Sequence, residues 1–152
     1  MKKNITLLAF ALLAIAVIPA CTKKSSSTTN NSSPYTMTAT KGGSNVSVSG
    51  QSSVYAVVAG PLLEVVGESI SGNDTTGFVF MLGSYTGPGS YTLDGMTNVG
   101  EYVNKTGSTG TIIIATSGNV TITSAATPYM KGTFNFSDGT TSISNGAFTA
   151  HF

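Results

Sequence analysis

Side chains able to do covalent or metal chemistry are scarce in this chain. His151 is the single histidine, Cys21 the single cysteine, and there is no arginine. A catalytic nucleophile needs a base within hydrogen-bond reach, and a zinc ion takes roughly three or four nitrogen, sulfur or carboxylate ligands. The penultimate residue, His151, reads as a wet-face residue of a last strand. The acids are Glu64, Glu68, Asp74, Asp94, Glu101 and Asp138. Glycoside hydrolysis needs two carboxylates facing each other across a cleft. Asp94 and Asp138 each precede a glycine and read as turn residues. Glu64 and Glu68 share a face if one strand carries both, and otherwise read as solvated. Asn73-Asp74 has the chemistry of a calcium ligand pair, but that ion takes roughly six to eight oxygens, and no dense Asp/Asn loop surrounds the pair. A non-enzyme is expected, with no metal site and no cofactor.

The other reactive group, Cys21, belongs to a different kind of chemistry. Met1-Lys2-Lys3 is a cationic start, and Ile5 to Ile18 is an apolar run of fourteen residues. A membrane span needs about 20 residues, so this run has the length of a signal-peptide core. It ends in Ile18-Pro19-Ala20-Cys21, which resembles a bacterial lipoprotein box. That resemblance implies a signal peptide over residues 1–20, cleavage before Cys21 and a diacylglycerol on its sulfur. The blander alternative is an ordinary secretory peptide with an incidental cysteine. Pro19 departs from the usual serine or alanine. Residues 22–33 are polar without periodicity and read as a flexible tether. Thr22, directly after the cysteine, resembles lipoproteins sent to the outer membrane. Lys23-Lys24 stand where an acidic surface-export signal would lie, so the periplasmic face is expected over the cell surface. The membrane is then a partner through the N-terminal lipid.

Residues 34–152 are expected to form one domain. Val120 and Ile122 alternate with threonines, and Phe134 and Phe136 alternate with Thr133, Asn135 and Ser137. A period of two carried by β-branched and aromatic residues marks strands with one dry face. Asp138-Gly139 between two such runs predicts a hairpin with a type I′ turn. Val54 to Ala59 and Leu62 to Val66 are two further runs, and Gly60-Pro61 breaks any helix across them. Phe78-Val-Phe-Met-Leu82 is apolar on both parities, as in a strand covered on both faces. Thr111 to Ala115 is another strand. No stretch carries helical period with caps.

The expected class is all-β, an antiparallel β-sandwich or partly closed β-barrel of about ten short strands with little or no helix. The expected core is Tyr55, Val57, Leu63, Val65, Phe78, Phe80, Leu82, Tyr91, Leu93, Ile112, Ile114, Val120, Ile122, Phe134, Phe136 and Phe148. Ile143 and Phe148 differ in parity, so one bulge near Asn145-Gly146 is needed to put both on the dry face.

Three C-terminal motifs carry a resemblance: Gly118 to Thr123 (Gly-Asn-Val-Thr-Ile-Thr), Gly132 to Phe136 (Gly-Thr-Phe-Asn-Phe) and Ile143 to Phe148 (Ile-Ser-Asn-Gly-Ala-Phe). With Gly89-Ser-Tyr91, the leader and the tether, they resemble a family of small uncharacterised lipoproteins of Bacteroidetes. The resemblance implies a lipobox, a polar tether and one β-domain, and implies no catalytic residue. Asp74-Thr75-Thr76 resembles the short sequence that such bacteria O-glycosylate in exported proteins, which makes Thr75 a candidate glycan site in an expected loop.

Charge narrows the partners. The formal net charge is +1. Loss of Lys2 and Lys3 leaves five lysines against six acids, a balance of −1. No basic patch is available to follow a phosphate backbone, so no nucleic-acid partner is expected. The expected function is a lipid-anchored, non-catalytic binding or interaction module of the cell envelope. The alternatives are a lipocalin-like carrier of a small apolar ligand, and a glycan-binding module using Tyr85, Tyr102 and Tyr129. The partner is accordingly a protein, a glycan or a small apolar molecule.

Overall fold

The computed structural model describes residues 33–152. The expectations placed before residue 33 — signal peptide, lipidation of Cys21, tether — lie outside the described residues. Eleven strands follow one another with no helix among the described residues: β1 (Thr36–Lys41), β2 (Ser44–Ser49), β3 (Val54–Ala59), β4 (Leu62–Ser71), β5 (Asp74–Leu82), β6 (Gly89–Thr92), β7 (Asn98–Thr106), β8 (Thr109–Ile114), β9 (Ser117–Ala126), β10 (Tyr129–Ser137) and β11 (Ser142–His151).

Glycine sets the tight connections. Gly60-Pro61 joins β3 to β4, with Ala59 opposite Leu62 and Gly60 at φ 61°. Positive φ at the first turn residue followed by proline is the φ pattern of a type II′ turn, whose twist suits a hairpin. The run that could have been a broken helix is therefore a hairpin. Gly42-Gly43, both at positive φ, closes β1 onto β2. The Asp138-Gly139 hairpin forms, but not as a type I′ turn. Four residues connect β10 to β11, and only Gly139 has positive φ. The Asp138 carboxylate accepts from the backbone N–H of Thr140 at 2.8 Å and of Thr141 at 2.7 Å. Those bonds fix an Asx-type turn that leaves no need for a left-handed Asp138.

The strands form one strongly curled sheet, a half-barrel, in the order β6-β9-β10-β11-β3-β4-β5-β7-β8. β11 is the seam. Its Ile143–Thr149 stretch pairs with β1, while His151 alone makes a parallel pairing with Tyr55 of β3. The curl brings distant strands together. Phe134 of β10 meets Phe78 and Phe80 of β5 with ring centroids 5.1 and 4.7 Å apart, though β11, β3 and β4 stand between them in the sheet. Phe80 also lies edge-on to Phe136 at 6.0 Å. Contact at these distances is the geometry of a filled aromatic core.

The bulge needed in β11 is present. Asn145 has φ 52°, and the β10 pairing slips between Phe134↔Gly146 and Phe136↔Ile143. The extra residue restores the parity, and Ile143 and Phe148 are both buried.

Two strands face opposite to expectation. In β3, Val54 and Ala56 are buried while Val57 is exposed and Tyr55 half-buried. In β8, Ile113 is buried while Ile112 and Ile114 are about half exposed. Both runs are apolar on either parity, so hydrophobicity could not choose. The ladders chose: Ala56 lies opposite the inward Val65, and Ile113 opposite the inward Tyr102. Tyr102, Ile113, Met37, Met130, Val54 and Ile143 thus join the core, and Tyr55, Val57, Ile112 and Ile114 leave it.

Candidate interaction surface

The residues nominated by chemistry are dispersed. Asp94 is a turn residue: its Oδ1 accepts the backbone N–H of Met96, Thr97 and Asn98 at 2.8, 2.8 and 3.0 Å. Those donors hold its carboxyl below the usual range. Asp138 is lowered for the same reason by Thr141 and Thr140. Asp74 opens β5 opposite Ser71 and Thr106, and is exposed. His151 is half-buried, with its ring edge-on to Tyr35 at 5.3 Å. Among the described residues no three His, Cys, Asp or Glu converge to hold a metal ion.

Thr75 does not lie in a loop. It is the second residue of β5, half-buried and paired with Ile70 on one side and Lys105 on the other. The turn is confined to Gly72-Asn73. The three tyrosines do not form a platform either. Tyr102 is buried against Phe78 at 5.2 Å, Tyr85 packs on Tyr91 at 5.8 Å, and Tyr129 leans on Tyr35 at 5.5 Å.

Shallow grooves open at the surface. One, about 460 Å³, is lined by Lys41, Ser44, Asn45, Val46, Ser47, Thr76, Tyr102 and Asn104. Lys41 Nζ sits 5.2 Å from the centre of the Tyr102 ring. Burial pushes the Tyr102 phenol up, and the Asn104 side chain opposes that rise. A second groove flanks β1 and β2 and a third flanks β10 and β11. None of these is lined by a glutamate.

The distinctive surface is a sheet face. β3, β4, β5, β7 and β8 pair antiparallel in unbroken register, so their outward residues form rows across five strands. The middle row is Tyr55, Val66, Val79, Glu101 and Ile114. On one side runs Val57, Glu64, Met81 and Val99. On the other run Glu68, Gly77, Val103 and Ile112. Leu62 and Ile70 extend the face at the two ends of β4. At ~4.8 Å between strands and ~3.3 Å per residue, these rows cover roughly 500 Å². The exposed apolar part of that footprint is smaller and lies on Val57, Leu62, Ile70, Met81, Ile112 and Ile114, around three carboxylates; exposed apolar patches on monomers are where interaction sites concentrate.

Three carboxylates stand inside this patch. Glu64, Glu68 and Glu101 are half-buried and surround Val66 and Val79. Burial pushes the Glu68 carboxyl up, the charges of Glu101 and Glu64 push it further, and Lys105 pulls it back. The phenol of Tyr55 is raised by burial and by Glu64 and Glu68. Glu64 and Glu68 share one strand face but are not simply solvated.

The outward face of the other half is its opposite. Asn119, Thr121 and Thr123 of β9 and Lys131, Thr133 and Asn135 of β10 point away from the core. Thr121 is bonded to Ser90 and Asn135 to Asn119 across strands. One half of the sheet is dry inside and wet outside, while the other is dry inside and carries exposed apolar residues among three carboxylates outside. The sign in the sequence was the run Phe78-Val-Phe-Met-Leu82, which read as covered on both faces. Here Val79 is half-buried and Met81 is exposed. No family model, no curated protein and no solved structure matches the chain.

Proposed function

We propose that the mature chain is a lipid-anchored, non-catalytic interaction module of the bacterial cell envelope. It is held through Cys21 at the periplasmic face of the outer membrane and acts through the outward face of β3, β4, β5, β7 and β8. The observation that carries this reading is the outward face itself, where Val57, Met81, Ile112 and Ile114 are exposed with no second layer over them among the described residues. A carrier of small apolar molecules is less well supported, because Phe78, Phe80, Phe134 and Phe136 fill the interior with rings in contact. A glycan platform is disfavoured by the burial of Tyr102.

Native mass spectrometry of the chain extracted from its own envelope tests the reading. The expected spectrum shows the lipidated chain, alone or in a protein complex. A small molecule that stays bound in the native spectrum and is lost on denaturation would instead establish a carrier. Cys21→Ser should move the chain from the membrane to the soluble fraction.

A further inference from the structure

The charges on the outer face select among the things that could cover it. A second copy of the chain would bring Glu64, Glu68 and Glu101 of each face together with only one Lys105 from each. Removing like charges from water beside one another is unfavourable. An anionic lipid surface meets the same three carboxylates and is repelled. A protein segment carrying its own cation answers both needs. Met81, Ile112 and Ile114 around the three carboxylates are exposed, while the β4 backbone closes the place beside Gly77, between Glu68 and Val103. An ammonium or guanidinium lowered over Val79 would have Glu64 and Glu68 on one flank and Glu101 on the other. Lys105 lies in the row of Ile70 and Thr75, beyond Glu68, and so away from Glu64.

We propose that the partner of this face is a protein segment presenting one lysine or arginine among aliphatic side chains. The cation is seated between Glu64, Glu68 and Glu101, and the aliphatic residues cover the exposed Met81, Ile112 and Ile114. The proposal rests on the reading of the face as an interaction surface and adds the chemistry of the partner. A raised Glu68 carboxyl accords with it, because an incoming cation relieves the repulsion that raises it.

The test uses the chain from residue 21 with Cys21→Ser, labelled at its Ile, Leu and Val methyls for NMR. The probes are a short soluble peptide with one central lysine among valines, the same peptide with glutamate at that place, and one with norleucine. The lysine peptide should shift the methyls of Val79, Ile112 and Ile114 and bind about tenfold more tightly than the glutamate peptide. The double variant Glu68→Gln, Glu101→Gln should reduce that preference to about twofold or less. Equal binding of all three peptides at those methyls would overturn the cationic partner while leaving the face an interaction surface. If the lysine peptide leaves those methyls unmoved, the proposal is also overturned. So too if they shift on self-association, seen by sedimentation, or on adding phosphatidylglycerol vesicles.

Discussion

Phe134 lies over Gly146. The two residues pair across β10 and β11, and a Cβ built on Gly146 would come within 2.5 Å of the Phe134 ring. The neighbouring pair repeats the arrangement in reverse, with the Phe148 ring over Gly132. A phenyl ring covering a glycine across a ladder protects the bare backbone and pins the register. Gly146→Ala should therefore lower stability by about 1–3 kcal/mol, as overpacking does. The loss should shrink in a Phe134→Leu background, which denaturant titration of the double-mutant cycle would read.

Phe134 also touches both Phe78 and Phe80 of the opposite half. Phe134→Ala should cost ~3–5 kcal/mol. A loss under about 1 kcal/mol on chemical denaturation would mean that the two halves of the curled sheet do not meet through this ring.

The parity of β8 gives a sharper test, because three isoleucines stand in a row. Ile113 is buried beside Tyr102, and its flanking isoleucines face outward. Ile113→Ala should cost ~2–5 kcal/mol. Ile112→Ala and Ile114→Ala should each cost less than about 1 kcal/mol. The reverse order would place the flanking pair in the core.

Much of this fold is legible in the sequence where polar residues break the apolar ones. Threonines around Val120, Ile122, Phe134 and Phe136 assign those residues to the core, and the bulge at Asn145 follows from the mismatched parity of Ile143 and Phe148. Legibility fails where both parities are apolar. In β3 Tyr55 and Val57 read as the core residues, yet cross-strand register puts Val54 and Ala56 inside. Thr75 reads as a loop residue because turn-forming types precede it, but a two-residue turn needs only Gly72-Asn73. The outer face is invisible to a linear reading. Its rows exist only once β7 is known to pair with β5 and β8 with β7.

Acid chemistry separates the two kinds of carboxylate. Glu68 is raised in the folded chain, so folding favours its protonated form. Its ionisation costs nothing below the unfolded value of 4.5, and stability is lost as pH rises from there through the folded value. Glu68→Gln should thus stabilise the chain at pH 7 and give no gain at pH 3, measured by thermal melts.

Asp94 has the opposite sign. Its carboxyl is lowered, so its stabilisation is present above the unfolded value of 3.8 and fades as pH falls below it. Asp94→Ala should melt earlier than the parent at neutral pH, and the gap should close in acid. A gap that stays constant with pH would show that the three backbone bonds to Asp94 are not what the carboxylate contributes.

Methionine oxidation tests the interaction surface most directly. Met81 lies on the outer face and is 42% exposed, Met96 is 89% exposed in the loop before β7, and Met130 is fully buried. Oxidant converts accessible methionine to its sulfoxide, so the three report face, free surface and core. In the purified chain Met81 and Met96 should oxidise while Met130 does not. In the intact envelope Met96 should still oxidise and Met81 should be protected, because its face is occupied. Met81 oxidising as readily in the envelope as in the purified chain would contradict the account.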